Sequence, residues 1–235
     1  MIYISLILLS SLLTKAEDFY KNGLYKEALE EYKEFETAGM SNPNLYLNIG
    51  NCYYRLGEYG KALVYYRKGW FLSPNDPNIL HNLSLFTKNQ ENPNPFISLI
   101  KKTIDRISLR YFSYLLVITL SLLIILISIR LIQSVRPIKL PINPLLFLAS
   151  IIFIFSLIGF GIWWGRVQSK WVVVLESSVA YSGPGEQFKE LLKMDEAEEG
   201  RLIRQSDGWW LVQLNGGEGG WIDSSKVSLV LEEVD

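Results

Sequence analysis

The chain holds one cysteine and one histidine in 235 residues. A single thiol excludes a disulfide framework, and Cys52 with His81 alone cannot make a zinc site of several Cys and His ligands. Export is not excluded on that ground, because a packed core needs no disulfide. The motifs of hydrolysis and phosphoryl transfer are missing as well: the sequence has no HExxH, no GxSxG and no phosphate loop. Cysteine-peptidase chemistry needs its cysteine at a helix start beside a histidine, whereas Cys52 reads as mid-helix and His81 as part of a capping helix. Glu196, Glu198 and Glu199 read as a charge run on a solvated loop. No catalytic residue, cofactor or metal site is expected, and the chain reads as a non-enzyme. A net charge of −1 gives no sign of a nucleic-acid partner.

Charge is lacking locally too. Residues 111–129 run for 19 positions without a charge between Arg110 and Arg130, and residues 140–165 do the same between Lys139 and Arg166. A helix needs about 20 residues to cross a bilayer core, so both predict transmembrane helices. Pro141 and Pro144 place the start of the second helix near Leu145, and Trp163 and Trp164 mark its interfacial end. Ile2 to Leu13 is apolar but short, the length of a signal-peptide core, with Thr14-Lys15-Ala16 as the cleavage region. An uncleaved anchor, with Ala16 packing as part of the next fold, and a plain first helix remain alternatives. Arg130, Arg136 and Lys139 in the connecting loop put that loop in the cytoplasm. Lys101, Lys102, Arg106 and Arg110 argue the other way, and the export signal decides the orientation.

Pro43 to Asp76 carries a 34-residue pattern. Tyr46, Ile49, Gly50, Tyr53, Gly57, Tyr59, Ala62, Tyr66 and Pro74 stand where two antiparallel helices need large and small residues in turn. The stretch resembles a tetratricopeptide (TPR) repeat. Stepping back 34 places gives Ala16, Phe19, Gly23, Tyr25, Ala28 and Tyr32 as an earlier repeat. Stepping forward gives a capping helix at Asn78–Asn89 with Leu80 and Leu83 inward, ended by NPNP at 92–95. Two repeats and a cap are marginal for stability, so the region is expected to lean on a partner, the bilayer or itself. The first helices of such repeats line a groove. That implies a partner-binding set of Glu17, Tyr20, Lys21, Asn44, Leu47, Asn51, Tyr54, Arg55, His81 and Leu85, in which Asn51 and Arg55 grip a peptide carboxylate or backbone.

From Lys170 onward, short β-type runs alternate with Gly-rich turns. This part carries six basic against thirteen acidic residues, a balance of −7 that argues against anionic lipid or wall polymer as a ligand. Ala180-Tyr181-Ser182-Gly183-Pro184, Gly208-Trp209-Trp210-Leu211-Val212 and Gly220-Trp221-Ile222 resemble the successive motifs of bacterial SH3-like (SH3b) domains. The resemblance implies a barrel, with Tyr181, Trp209 and Trp210 as an aromatic peptide platform and Trp221 packed inside. QFKELL at 187–192 reads as strand or a short helical turn.

The expected order is a signal peptide (1–16), a TPR domain with its cap (17–92), a linker (93–110), a transmembrane helix (111–129), a cytoplasmic loop (130–139), a second transmembrane helix (140–165) and an SH3-like domain (170–235). The fold class is therefore a multi-domain membrane protein: all-α TPR hairpins, two membrane helices and an all-β SH3-like barrel. This order, with NIGNCYYRLGEYGKALVYYRKGWFLSPNDPNILHNL, resembles the E-type members of the bacterial aerotolerance-operon (Bat) proteins. The resemblance implies a scaffold in the bacterial inner membrane, with TPR and SH3-like parts on the periplasmic side. It also implies von Willebrand A-type membrane proteins and a MoxR-type ATPase as partners; homo-oligomers stay open. The alternative reading is an envelope sensor whose SH3-like part binds wall peptides.

Overall fold

A computed structural model describes residues 14–86, 109–135 and 141–231. The apolar segment 2–13, the cap beyond residue 86, the linker up to residue 108 and residues 136–140 lie outside the described residues. Residues 14–86 and 169–231 belong to one compact unit, and the two long apolar helices form another.

The helical part of the first unit comprises α1 (helical residues 14–21), α2 (Tyr25–Thr37), α3 (Pro43–Arg55), α4 (Tyr59–Leu72) and α5 (Pro77–Ser84). Two starts are set by the same device. Asn42 accepts a hydrogen bond from Leu45 N at 2.9 Å and Asp76 accepts from Asn78 N at 2.9 Å, each just ahead of a proline at the first helical position. Gly23 and Gly57 turn the chain between paired helices at φ +77° and +81°, where a Cβ would be strained. Gly50 lies so close to α4 that a Cβ would stand 2.6 Å from the Tyr66 ring. Behind it, Ala16, Ala28, Tyr32, Phe35, Leu45, Ile49, Cys52 and Tyr65 form the repeat core. Ala16 is fully buried there. Lys33 and Lys68 both donate to Glu36, as does the Tyr65 hydroxyl, and this ties α2 to α4.

In α5 the buried residues are Ile79 and Leu83, while Leu80 is 40% exposed. The expected inward pair of Leu80 and Leu83 is thus corrected to Ile79 and Leu83, the i, i+4 pair that shares one helix face.

The C-terminal part is one antiparallel sheet of β1 (Trp171–Val174), β2 (Ser178–Tyr181), β3 (Glu190–Met194), β4 (Glu199–Ser206), β5 (Trp209–Leu214), β6 (Gly219–Asp223) and β7 (Val227–Leu229). Their order is β3-β2-β6-β5-β4-β1-β7. The expected barrel is an open sheet here, since among the described residues no pairing joins the edge strands β3 and β7. QFKELL resolves into a turn followed by β3. Asp207 and Gly208, both at positive φ, make the two-residue turn between β4 and β5.

The sheet packs on α4. Val172 and Val174 face the sheet's own core, whereas Val173 joins Leu63, Val64, Ile79 and Leu83 in a second core. Burial on both faces is why β1 reads WVVV instead of alternating. Gly60 N–H donates to Glu196 Oε1 at 2.9 Å, and a Cβ on Gly60 would lie 2.5 Å from Val174 O. Arg67 is held by Glu199 through two bonds of 2.5 and 2.7 Å. Two members of the acidic run are therefore engaged with α4, and only 14% of the Glu199 side chain is exposed. This corrects the expectation of a solvated loop. The helical region thus packs against the chain's own sheet.

The second unit consists of α6 (Leu109–Val135) and α7 (Ile142–Gln168). Within them Tyr111–Gln133 and Ile142–Gly165 are long and apolar enough to cross a membrane. Phe112 rests on Gly159, and Leu126, Ile142 and Ala149 cluster, so the helices run antiparallel. α7 starts at Ile142, three residues before the expected Leu145, because a proline in the first turn of a helix, Pro144, gives up an N–H that would have no partner there. Val117, Ile118 and Phe147 point outward. The buried hydroxyls of Thr119 and Ser156 donate to carbonyls of their own helix at 2.8 Å.

Candidate functional site

A cleft of about 510 Å³ opens over α1, α3 and α5, within the size range of ligand-binding clefts. It is lined by Tyr20 from α1, by Leu47, Asn51, Tyr54 and Arg55 from α3, by Tyr66 from α4, and by Asn78, His81, Asn82 and Leu85 from α5 and its end. The structure thus brings together Tyr20, Leu47, Asn51, Tyr54, Arg55, His81 and Leu85 of the sequence-derived set. It leaves out three. Glu17 and Lys21 pair with each other at 3.8 Å along α1, and Asn44 is exposed at the start of α3.

Three lining residues were not anticipated. Tyr66 reads as interhelix filler, yet its hydroxyl reaches the cleft floor. Asn78 and Asn82 belong with His81 and Leu85 by i, i+3/i+4 and i+7 spacing, a signal present in the sequence.

The polar geometry is specific. Asn51 Oδ1 accepts from the Tyr66 hydroxyl at 2.9 Å and from Asn82 Nδ2 at 2.8 Å. Its carbonyl is used internally, so the amide NH₂ is the polar end that Asn51 still has to offer. Burial, with the nearby Tyr20 and Tyr54, pushes the Tyr66 hydroxyl up from its ordinary value, so it remains a donor. Arg55 is exposed and donates only to the Tyr20 hydroxyl, at 3.5 Å; among the described residues it has no carboxylate partner. Among the described residues no acidic side chain lines the cleft. The site is thus rich in donors, with aromatic and leucine walls, and suits a segment that brings acceptors and a negative charge.

Cys52, one residue from Asn51, faces the repeat core. Burial pushes its thiol up to about 12, far from the range of a nucleophilic cysteine. Among the described residues no three His, Cys, Asp or Glu side chains converge as a metal site.

On the sheet, strand alternation sorts the aromatic residues. Tyr181 lies opposite Trp221, which lies opposite Leu211, while Trp209 shares the face of Leu211. The Tyr181 and Trp209 rings meet edge-on at 5.7 Å. Trp210 points the other way and packs with Val172, Val212 and Ile222. One expectation is corrected here: Trp210 is half-buried against the core face and is not on the face of Tyr181 and Trp209, whereas Trp221 is buried on that other face. The inward Val212 and Ile222 carry the signal, because neighbours on a strand alternate.

Residues 43–76 match the family model for the tetratricopeptide repeat. A search of curated proteins gave no match. Repeats of this kind mediate protein–protein interactions and are typically non-catalytic scaffold motifs. The match spans α3, α4 and the turn before α5, the segment that supplies Leu47, Asn51, Tyr54, Arg55 and Tyr66 to the cleft.

Proposed function

We propose that the chain is a non-catalytic membrane adaptor whose cleft holds an extended segment of a partner protein. One observation carries this reading: among the described residues, Arg55 has no carboxylate partner and stands at a cleft lined by amide and hydroxyl donors and by no acid. A peptide carboxylate pairs with Arg55, and the peptide backbone meets Asn51, Asn78 and Asn82.

In this reading α6 and α7 cross the membrane as a hairpin. Both exceed the length a bilayer core requires, their outward side chains are apolar, and their buried hydroxyls are satisfied within the helix. Two spans return the chain to the side it left. That agrees with the packing of the sheet against α4, which requires both flanking segments in one compartment. The basic loop residues Arg130, Arg136 and Lys139 favour the exported side of a bacterial inner membrane for both. The likeness to E-type Bat proteins supports von Willebrand A-type and MoxR-type proteins as the partners.

Affinity capture of the full-length protein in mild detergent tests the reading. Wild-type protein is expected to retain a membrane partner, and Arg55→Ala to lose it by at least about tenfold while its stability changes by less than about 0.5 kcal/mol. Equal capture by both overturns the assignment of the cleft. A second reading, a sensor of wall peptides, is favoured by the paired Tyr181 and Trp209 rings. Muropeptide binding by the full chain that is lost in Trp209→Ala and kept in Arg55→Ala selects it.

A further inference from the structure

We propose that the C-terminal sheet, by docking on α4, holds the cleft in its binding-competent shape, so that the dock controls the site. The inference rests on the reading of the cleft as the binding site. α4 begins without a cap of its own, since Glu58 at the N-cap position makes no side-chain cap bond. The first N–H groups of a helix need acceptors from elsewhere. One acceptor is the Glu196 carboxylate, 136 residues further along the chain, which takes the Gly60 N–H and also suits the positive end of the helix. Two turns later Arg67 is gripped by Glu199. Positions 60 and 67 share one face of α4, and Leu63 and Val64 between them pack in the core that contains Val173 and Val230.

Tyr66, beside Arg67 on the helix, projects to the other side. Its ring fills the space over Gly50, and its hydroxyl orients Asn51. One helix therefore carries the sheet on one face and the cleft floor on the other. Undocking removes the cap and much of the burial of α4, and a helix of this length depends on tertiary packing to persist. Tyr66 then withdraws, and Asn51 loses the partner that orients it. By linkage, a segment bound at Asn51 tightens the dock in return. α4 is the physical element that both sites bias.

Cys52 is a built-in reporter: fully buried on α3, adjacent to Asn51, and reactive only when the repeat core opens. The experiment measures the rate of maleimide labelling of Cys52 in the full-length protein in nanodiscs. Arg67→Glu is expected to accelerate labelling roughly tenfold or more, and the charge swap Arg67→Glu with Glu199→Arg to return it to within about twofold of wild type. Should Arg67→Glu unfold the protein outright, the milder Glu196→Ala, which deletes one hydrogen bond, is expected to accelerate labelling about threefold. Unchanged labelling in every variant that folds overturns the proposal. Because the readout needs no ligand, loss of the cleft's binding role in the capture experiment leaves this result standing, and the two failures are told apart.

Discussion

Arg55 and Arg67 sit twelve positions apart on the two helices of one repeat, and their surroundings differ in kind. Arg67 lies over the Trp70 ring at 5.5 Å and closes a two-bond pair with Glu199. Arg55 is exposed and, among the described residues, reaches only a tyrosine hydroxyl. One face of the helical region is completed by the chain itself. Among the described residues the other face has donors, aromatic walls and no acid, and none of them fills it. The contrast teaches that repeat number alone does not set stability: a sheet supplied from the far side of two apolar helices replaces the missing neighbour. It also leaves the groove-forming helices uncovered.

The largest effect expected from this contrast is on the closed face. Arg67→Glu leaves Glu199 facing a like charge in a partly buried site, and it should lower unfolding stability by about 3 kcal/mol, read from urea denaturation of the full chain in detergent. A loss no larger than that of Arg55→Ala would erase the distinction between the two faces.

A separate effect follows from pH. Burial holds the Tyr32, Tyr65 and Tyr66 hydroxyls above their ordinary value of 10, and it raises Cys52 from 9 to about 12. All four belong to the helical part. As pH rises through 9 and 10 the unfolded chain gives up these protons before the folded one does. The stability they contribute is therefore complete below pH 9 and declines as pH rises through the folded-state values. A loss on the order of 4 kcal/mol by pH 10.5 is expected. Hydrogen exchange should show the helices loosening ahead of the sheet core of Val172, Val212 and Ile222. Loosening that starts in the sheet would contradict the assignment of the titrating groups.

The parts that sequence made legible are those with local spacing. The 34-residue pattern located α3, α4 and the turn at Gly57, and uncharged length located α6 and α7. Seven cleft residues followed from repeat positions alone. The dock was not legible, because its bonds join residues separated by 132 and 136 positions. Glu196 and Glu199 look like any acidic loop until Gly60 and Arg67 stand beside them. Trp210 was not legible for another reason. The motif resemblance supplies an aromatic at this place, whereas its face is set by the period-2 alternation that Val212 fixes. Asn78 and Asn82 stand among the apolar residues that mark a cap, and only their spacing to His81 and Leu85 points to the cleft.

The most direct test joins the two flanks chemically in native membranes. In a Cys52→Ser background, cysteines replace Lys61 on α4 and Glu176 after β1, two exposed residues near each other that leave the Arg67–Glu199 and Gly60–Glu196 bonds intact, and a short bismaleimide is added. The account predicts an efficient cross-link within one chain at monomer size. Labelling of each cysteine by a monofunctional maleimide without any intramolecular cross-link would contradict it, because the sheet and the repeat would then stand apart.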